Sequence, residues 1–413
     1  MLRLFEKFGI ELEYMIVRNA DCSVAPIADK LISDFCGAPL NECEVGGCGL
    51  SNELAAHVIE LKSASPTSDF KRQEEKFVEA ITRINRQLES RGARLLPGPM
   101  HPAMNPATES FTWPHEGREI YSLYDSIFNC RSHGWLNLQS SHINLPFAGD
   151  HEFALLHSAV ILLLPLMPAL TAGSPFRERV VTGLTDTRLE IYEHNQDLFP
   201  SITGEVIPEA VLSRAEYEEK ILQPMFRETA EVDPEGIIRH EWLNSRGAIA
   251  RFDRNAIEVR LLDVQECPAA DLALAQFFIA ALRHLVEGRE SDLEQWVRHS
   301  SARERRRQLD EVIRSGTRAP IVLSEIPEAF GLAESVGTAG GFWRHVFEKN
   351  GGSLPAPAAA VIERILNTGN LSTRLLTAHQ QLQGSDSFHI LMDALARCLS
   401  ENRLFDPSAC NGD

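Results

Sequence analysis

The stretch Phe8 to Val17 constrains the fold most, because its polarity alternates along its length. Read with a period of two, Phe8, Ile10, Leu12, Tyr14 and Ile16 share one face, and Gly9, Glu11, Glu13 and Met15 share the other. A helix would scatter these residues around its circumference, so the pattern predicts a strand with an apolar back. Two carboxylates at alternate positions of one strand lie roughly 7 Å apart and point the same way. Glutamate is a poor strand former, so either water or a bound cation must compensate. The strand alone leaves both readings open.

Three later stretches repeat the pattern. In Leu50 to Pro66, Ile59 and Leu61 alternate with Val58, Glu60 and Lys62, which predicts a strand that ends before Pro66. Glu53 can reach the same side from a neighbouring strand or turn. In Trp135 to Phe147, His142 and Asn144 point one way while Ile143 and Leu145 point the other. In Arg246 to Leu262, Ile257, Val259 and Leu261 oppose Glu258 and Arg260. The fold class this implies is α+β: a largely antiparallel sheet with helices packed on one face and an open polar front. Carboxylates crowded on such a front repel one another and raise their pKa values, a cost that bound cations remove. Oxygen-rich sites with one imidazole suit Mg²⁺ or Mn²⁺ better than zinc. Magnesium held by carboxylates keeps positions open for phosphate oxygens. Arg188, Arg251 and Arg260 offer forked donors for phosphate or carboxylate.

The clearest helix spans residues 68 to 91, with Phe70, Phe77, Ile81, Ile84 and Leu88 on one stripe, Ser68 as N-cap and Gly92 at its end. A short helix is expected from Ala28 to Phe35, an apolar one from 153 to 170, and a strongly apolar one from Asp271 to Glu287. A polar helix is expected from 208 to 231, broken near Pro224. Leu40 to Gly49 reads as a loop or irregular hairpin, and Arg94 to Leu96 as a short strand. Pro97 to Pro114 reads as a long loop, with His101 and His115 as surface histidines. Beyond residue 290 helical patterns dominate, interrupted by a loop from Gly337 to Pro355 that holds five glycines. The expected organisation is a catalytic core over 1–290 and a helical C-terminal extension over 291–413, packed on the core.

Composition removes several classes of function. A formal net charge of −18 disfavours nucleic acid or an anionic membrane as partner. The apolar run Phe153 to Ala172 is interrupted by Pro165 and Pro168 and reads as a buried helix rather than a membrane span. The first residues lack an uninterrupted apolar run, so no signal peptide and a cytoplasmic location are expected. Cys22, Cys36, Cys43 and Cys48 cluster without a common zinc spacing and are expected as free thiols. Neither a P-loop nor a dinucleotide fingerprint is present, so nucleotide binding must use another fold.

Taken in order, Gly9-Ile10-Glu11-Leu12-Glu13, the Glu53 to Glu60 spacing, Ser141-His142-Ile143-Asn144, Thr171-Ala172-Gly173-Ser174-Pro175-Phe176 and Ile257-Glu258-Val259-Arg260 resemble the type 2 glutamate–cysteine ligases and related carboxylate–amine ligases. That family shares its catalytic sheet with glutamine synthetase. The resemblance implies that Glu11, Glu13, Glu53, Glu60, His142 and Glu258 hold two or three Mg²⁺ ions, or Mn²⁺, around the phosphates of ATP. It implies that Arg260 stabilises the transferring phosphoryl group, that Arg188 lies near the acid or phosphate, and that Arg251 contacts the nucleotide. The implied reaction phosphorylates a carboxylate, the γ-carboxylate of glutamate, and joins it to an amine such as cysteine, as in glutathione biosynthesis. Small amino acids are then the partners, and a homo-oligomer is left open. Many relatives carry His-x-His where this chain has His142-Ile143-Asn144. The rival readings are a phosphotransferase of guanidino-kinase type on the same fold, a metal-dependent amide hydrolase and a non-catalytic metabolite-binding protein.

Overall fold

The computed structural model describes residues 1–332, 336–382 and 386–410. Its first strand, β1 (Gly9–Arg18), is the one around which the others are laid. The further strands are β2 (Glu42–Val45), β3 (Cys48–Asn52), β4 (Val58–Ser63), β5 (Ala93–Leu96), β6 (Ser140–Pro146), β7 (Phe176–Arg177), β8 (Val180–Val181), β9 (Ala248–Arg251) and β10 (Ala256–Asp263). One eight-stranded sheet runs in the order β2-β3-β4-β1-β6-β10-β9, with β5 paired to the end of β1; β7 and β8 form a separate hairpin. The described pairings are antiparallel. β10 slips register against β6 between Val259 and Leu262, a bulge that gives β10 one extra residue.

The alternation of β1 becomes its packing. Ile10, Leu12, Tyr14 and Ile16 are fully buried among Phe77, Ile81, Ile84 and Leu88 of the helix Phe70–Glu89 and the apolar helices Gly149–Leu163 and Pro268–Gly288. Each of the aliphatic side chains contributes roughly 1.5–3 kcal/mol by leaving water. The other face of β1 divides in two. Glu11 and Glu13 face the open front, whereas Met15 and Val17 are sealed by Leu371, Leu375, Phe388, Leu391 and Leu395. These come from the helices Leu371–Gln381 and Ser387–Glu401, so the C-terminal helices close one end of the front. Trp343 ties the same region to the back, packing on Phe277 and Phe278 and donating its indole N–H to the Leu166 carbonyl at 2.8 Å.

Several local expectations need correction. The helix Phe70–Glu89 is capped by Asp69, not Ser68: its carboxylate accepts the Arg72 N–H at 2.9 Å. An anionic cap satisfies the free amide and complements the helix dipole together. Leu40 to Gly49 holds a regular hairpin of β2 and β3. The polar helix begins only at Arg214, behind the Ser213 cap, and its irregularity is a π-helical turn, Glu218–Leu222, just ahead of Pro224. Proline removes one N–H from the helical ladder there. Gly337 to Pro355 is not a loop: Ala339–Asn350 is a helix that buries Phe342, Trp343 and Val346. That apolar stripe outweighs the penalty of about 1 kcal/mol for each glycine. Gly340 is needed for closeness, since a Cβ there would stand 2.9 Å from the Thr317 carbonyl oxygen.

His101 is buried rather than at the surface. One ring nitrogen bonds the Cys22 carbonyl at 2.8 Å, and the other accepts the Met104 amide at 3.0 Å. His115 is half-buried against Asp29 at 3.1 Å. Cys36 and Cys43 form a disulfide, while Cys22 and Cys48 are buried thiols.

Candidate active site

Strand register assembles the polar front. β1 places Glu11 opposite His142 of β6 and Glu13 opposite Glu60 of β4. β10 places Glu258 opposite Asn144, and β3 places Ser51 opposite Glu60. Glu53 enters from the turn after β3. The nine residues Glu11, Glu13, Glu53, Glu60, His142, Arg188, Arg251, Glu258 and Arg260 line one cleft of about 410 Å³.

At the centre, His142 Nδ1 lies 2.9 Å from Glu11 and 3.9 Å from Glu258, and its Nε2 lies 3.7 Å from Glu13. Burial disfavours the imidazolium, but the hydrogen bond to Glu11 and the charges of Glu13, Glu11 and Glu258 outweigh it and raise the His142 pKa to about 9. Burial pushes Glu11 the other way, up; His142 overrides it and brings Glu11 down to about 2. Asn144 donates to the other Glu11 oxygen at 3.0 Å. Asn144 therefore holds a carboxylate in place.

On the β4 side the balance reverses. Burial first, and the Glu11 charge second, raise Glu60 to about 8, although Ser51 donates to it at 2.8 Å and Lys62 stands 3.6 Å away. Lys62 is shared with Glu42 at 3.0 Å. Burial and the charges of Glu13, Glu60 and Glu11 raise Glu53 well above the carboxylate range. Both shifts favour a proton, or a cation in its stead, beside these crowded carboxylates, which is the behaviour expected of a carboxylate cage.

The donor set fits a hard divalent ion. Glu11, His142 and Glu258 each bring a ligand atom within 4.8 Å of the others, and Glu13, Glu53 and Glu60 supply further carboxylates. A structural zinc site would call for a closed set of thiolates and imidazoles, and no cysteine is among the described residues that line the cleft.

The arginines are placed less freely. Arg260 pairs tightly with Glu258, and Arg251 reaches the other Glu258 oxygen at 3.3 Å. Burial raises the Glu258 pKa, but Arg260 and His142 outweigh it and hold the carboxyl low. Arg188 is buried and uses its two terminal nitrogens on Asp263 at 3.2 Å and on the carbonyls of Leu261 and Arg260 at 3.2 and 3.3 Å. It lines the cleft from a fixed position.

The cleft also holds residues that the sequence did not flag. Ser140 binds Glu13 twice, through its amide at 2.7 Å and its hydroxyl at 3.1 Å. Its parity with His142 on β6 was the available signal. In the sequence Lys62 stands only as one member of an alternating strand. Tyr124, Trp135, Tyr192 and Trp242 form a wall contributed by separate loops and short helices, for which no periodic signal exists.

The profile of glutamate–cysteine ligase family 2 matches residues 7–389 of this chain. The chain belongs to that family. It is thereby an enzyme of the ATP-dependent carboxylate–amine ligase class. An uncharacterized protein of Archaeoglobus fulgidus is 37% identical over 279 residues, covering 68% of this chain and 74% of its own. A putative glutamate–cysteine ligase of Rubrobacter xylanophilus is 25% identical over 189 residues, covering 45% of this chain and 47% of its own. Among solved structures, the glutamate–cysteine ligase of Francisella tularensis in complex with AMP superposes with a TM-score of 0.63 at 12% identity, over 96% of this chain and 88% of that one. A bifunctional glutathione synthetase of Pasteurella multocida superposes with a TM-score of 0.56 at 14% identity, over 97% of this chain and 52% of that one. At such identities the superpositions establish the shared fold.

Proposed function

We propose that this chain activates an amino-acid side-chain carboxylate, the γ-carboxylate of glutamate, with ATP and joins it to an amine. The observation that carries this reading is the meeting of six ligand side chains and three arginines in one cleft. In the proposed reaction a carboxylate oxygen attacks the γ-phosphorus, the bridging P–O bond breaks and ADP leaves with its electron pair. The amine nitrogen then attacks the acyl carbon, the C–O bond to phosphate breaks, and the amine gives up its proton as the amide forms.

Glu11, Glu13, Glu53, Glu60, His142 and Glu258 would hold two or three Mg²⁺ ions, which supply charge neutralisation for the phosphates. Arg260 faces the moving phosphoryl group, where a preorganised donor is worth most. Arg188, locked by Asp263, presents a fixed positive edge to the acid, and Arg251 serves the nucleotide. Asn144 and Ser140 keep Glu11 and Glu13 aimed. ATP and free amino acids as substrates favour a cytoplasmic enzyme.

The test is release of ADP by purified protein with Mg²⁺ across single amino acids and amine–acid pairs. Amide formed in step with ADP supports a ligase. A stable phosphorylated product without amide would indicate a phosphotransferase. Amide cleavage that needs no ATP would indicate a hydrolase, and metal binding without any turnover would indicate a binding protein.

A further inference from the structure

The ligase reading leaves the aromatic wall of the cleft without a task. Tyr124 and Trp135 come from the segment ahead of β6, and Trp242 comes from a short turn ahead of β9. Tyr124 meets Trp135 edge-on at 5.2 Å and lies nearly parallel to Trp242 at 6.2 Å. Phe128 stacks on Trp135 at 5.3 Å, and His240 stacks on Trp242 at 5.5 Å. Rings supported in this way form a rigid surface. Tyr124 is buried, but both tryptophans stay partly open in a cleft otherwise rich in charge.

Open ring area is recovered as binding energy only when a ligand covers it, at about 25 cal/mol per Å². The acid is anionic and belongs beside the arginines. The base of the nucleotide has another place open to it: a second lobe of about 370 Å³ joins the cleft at Glu11, Lys62 and Arg254 and combines the apolar Leu2, Pro66 and Pro146 with the charged Lys7 and Glu42. That leaves the amine to cover the wall, and a side chain as small as the mercaptomethyl group of cysteine would leave the open parts of both indole rings wet. Resting on the ligase reading above, we infer that the wall of Tyr124, Trp135 and Trp242 selects an amine with a flat aromatic side group.

The experiment separates this inference from the reading beneath it. Hydroxylamine is too small to use the wall, and its hydroxamate product reports carboxylate activation alone. Product formation is measured with hydroxylamine and with a panel of L-phenylalanine, L-tyrosine, phenylethylamine, L-cysteine, L-alanine and glycine. The expected result is kcat/KM at least tenfold higher for the aromatic amines than for L-cysteine. In Trp242→Ala and Trp135→Leu the ratio of aromatic amide to hydroxamate should fall at least tenfold, and Trp242→Phe should restore it. Hydroxamate without an aromatic preference overturns the inference and leaves the ligase intact. Weakened ATP binding in Trp242→Ala with an unchanged amine preference gives the wall to the nucleotide base and also overturns it. If no acid yields hydroxamate, the ligase reading itself fails, and the inference falls with it.

Discussion

On the back of β1, Ile10, Leu12, Tyr14 and Ile16 lie fully buried among helices. On the front of the same strand, one residue out of phase, Glu11 and Glu13 share a cleft with further carboxylates, an imidazole and guanidinium groups. The back stabilises by leaving water, and each of its members is interchangeable with another apolar residue of similar shape. The front gathers like charges that oppose folding unless protons, arginines or metal ions balance them. What one face contributes, the other partly spends. Side chains chosen for folding and for chemistry therefore alternate along one strand.

The comparison can be broken in order of expected size. Glu13→Gln keeps shape and can still accept from Ser140, so it should lower turnover by about 10³-fold while leaving the melting temperature of the chelated protein nearly unchanged. Normal turnover with a large loss of stability would make Glu13 a structural residue. Glu11 is a poorer probe, because His142 and Asn144 both bind it and its removal disturbs them too. Leu12→Ala should do the reverse, costing about 2–5 kcal/mol of stability. Denaturant unfolding measures it, and the folded fraction should keep its specific activity. Arg260→Lys keeps a charge but loses the planar fork, and kcat should fall about 10²-fold with ATP binding retained. Unchanged kcat at saturating substrates would reduce the Arg260–Glu258 pair to a strand ion pair.

The smallest effect is in pH. Glu60 is raised to about 8 and His142 to about 9. For Glu60 the unfolded chain loses its proton first, so stability falls as pH rises from the ordinary glutamate range to about 8. For His142 the stabilisation is complete below its ordinary value and is lost as pH rises through about 9. Both signs agree, so the chelated protein should melt at progressively lower temperature from pH 5 to 9. Glu60→Gln should flatten the lower part of that slope, and excess Mg²⁺ should flatten it for the wild type. Identical profiles for Glu60→Gln and wild type would remove Glu60 from the charged cluster.

The strands and the candidate site were legible because period-two alternation states both the back and the front of a strand at once. Glu11, Glu60, His142 and Glu258 needed only parity to be placed on one surface. Other features depend on contacts that no local pattern encodes. Asp69 rather than Ser68 caps its helix because of one hydrogen bond. His101 is buried because its two ring nitrogens knit the Cys22 and Met104 backbones. The glycines around Gly340 sit in a helix because Phe342 and Trp343 have a core to enter. The Cys36–Cys43 pairing depends on where the hairpin of β2 and β3 lies against the helix Ala28–Cys36. The aromatic wall is assembled from distant segments and carries no period at all.

The bulge in β10 works as a phase shifter. Ahead of it Glu258 pairs with Asn144 on the front, and beyond it Asp263 pairs with Ser140, again on the front. Strict alternation over these same residues, with no bulge, would turn Asp263 to the apolar back and bring Leu262 forward. Arg188 would then lose the carboxylate that anchors it, although no residue of the cleft had been replaced. Ironing out the bulge without removing a residue is thus a frameshift in space: every letter downstream is preserved, and each is read on the wrong side of the sheet, whereas deleting one residue between Val259 and Leu262 would keep Asp263 in phase.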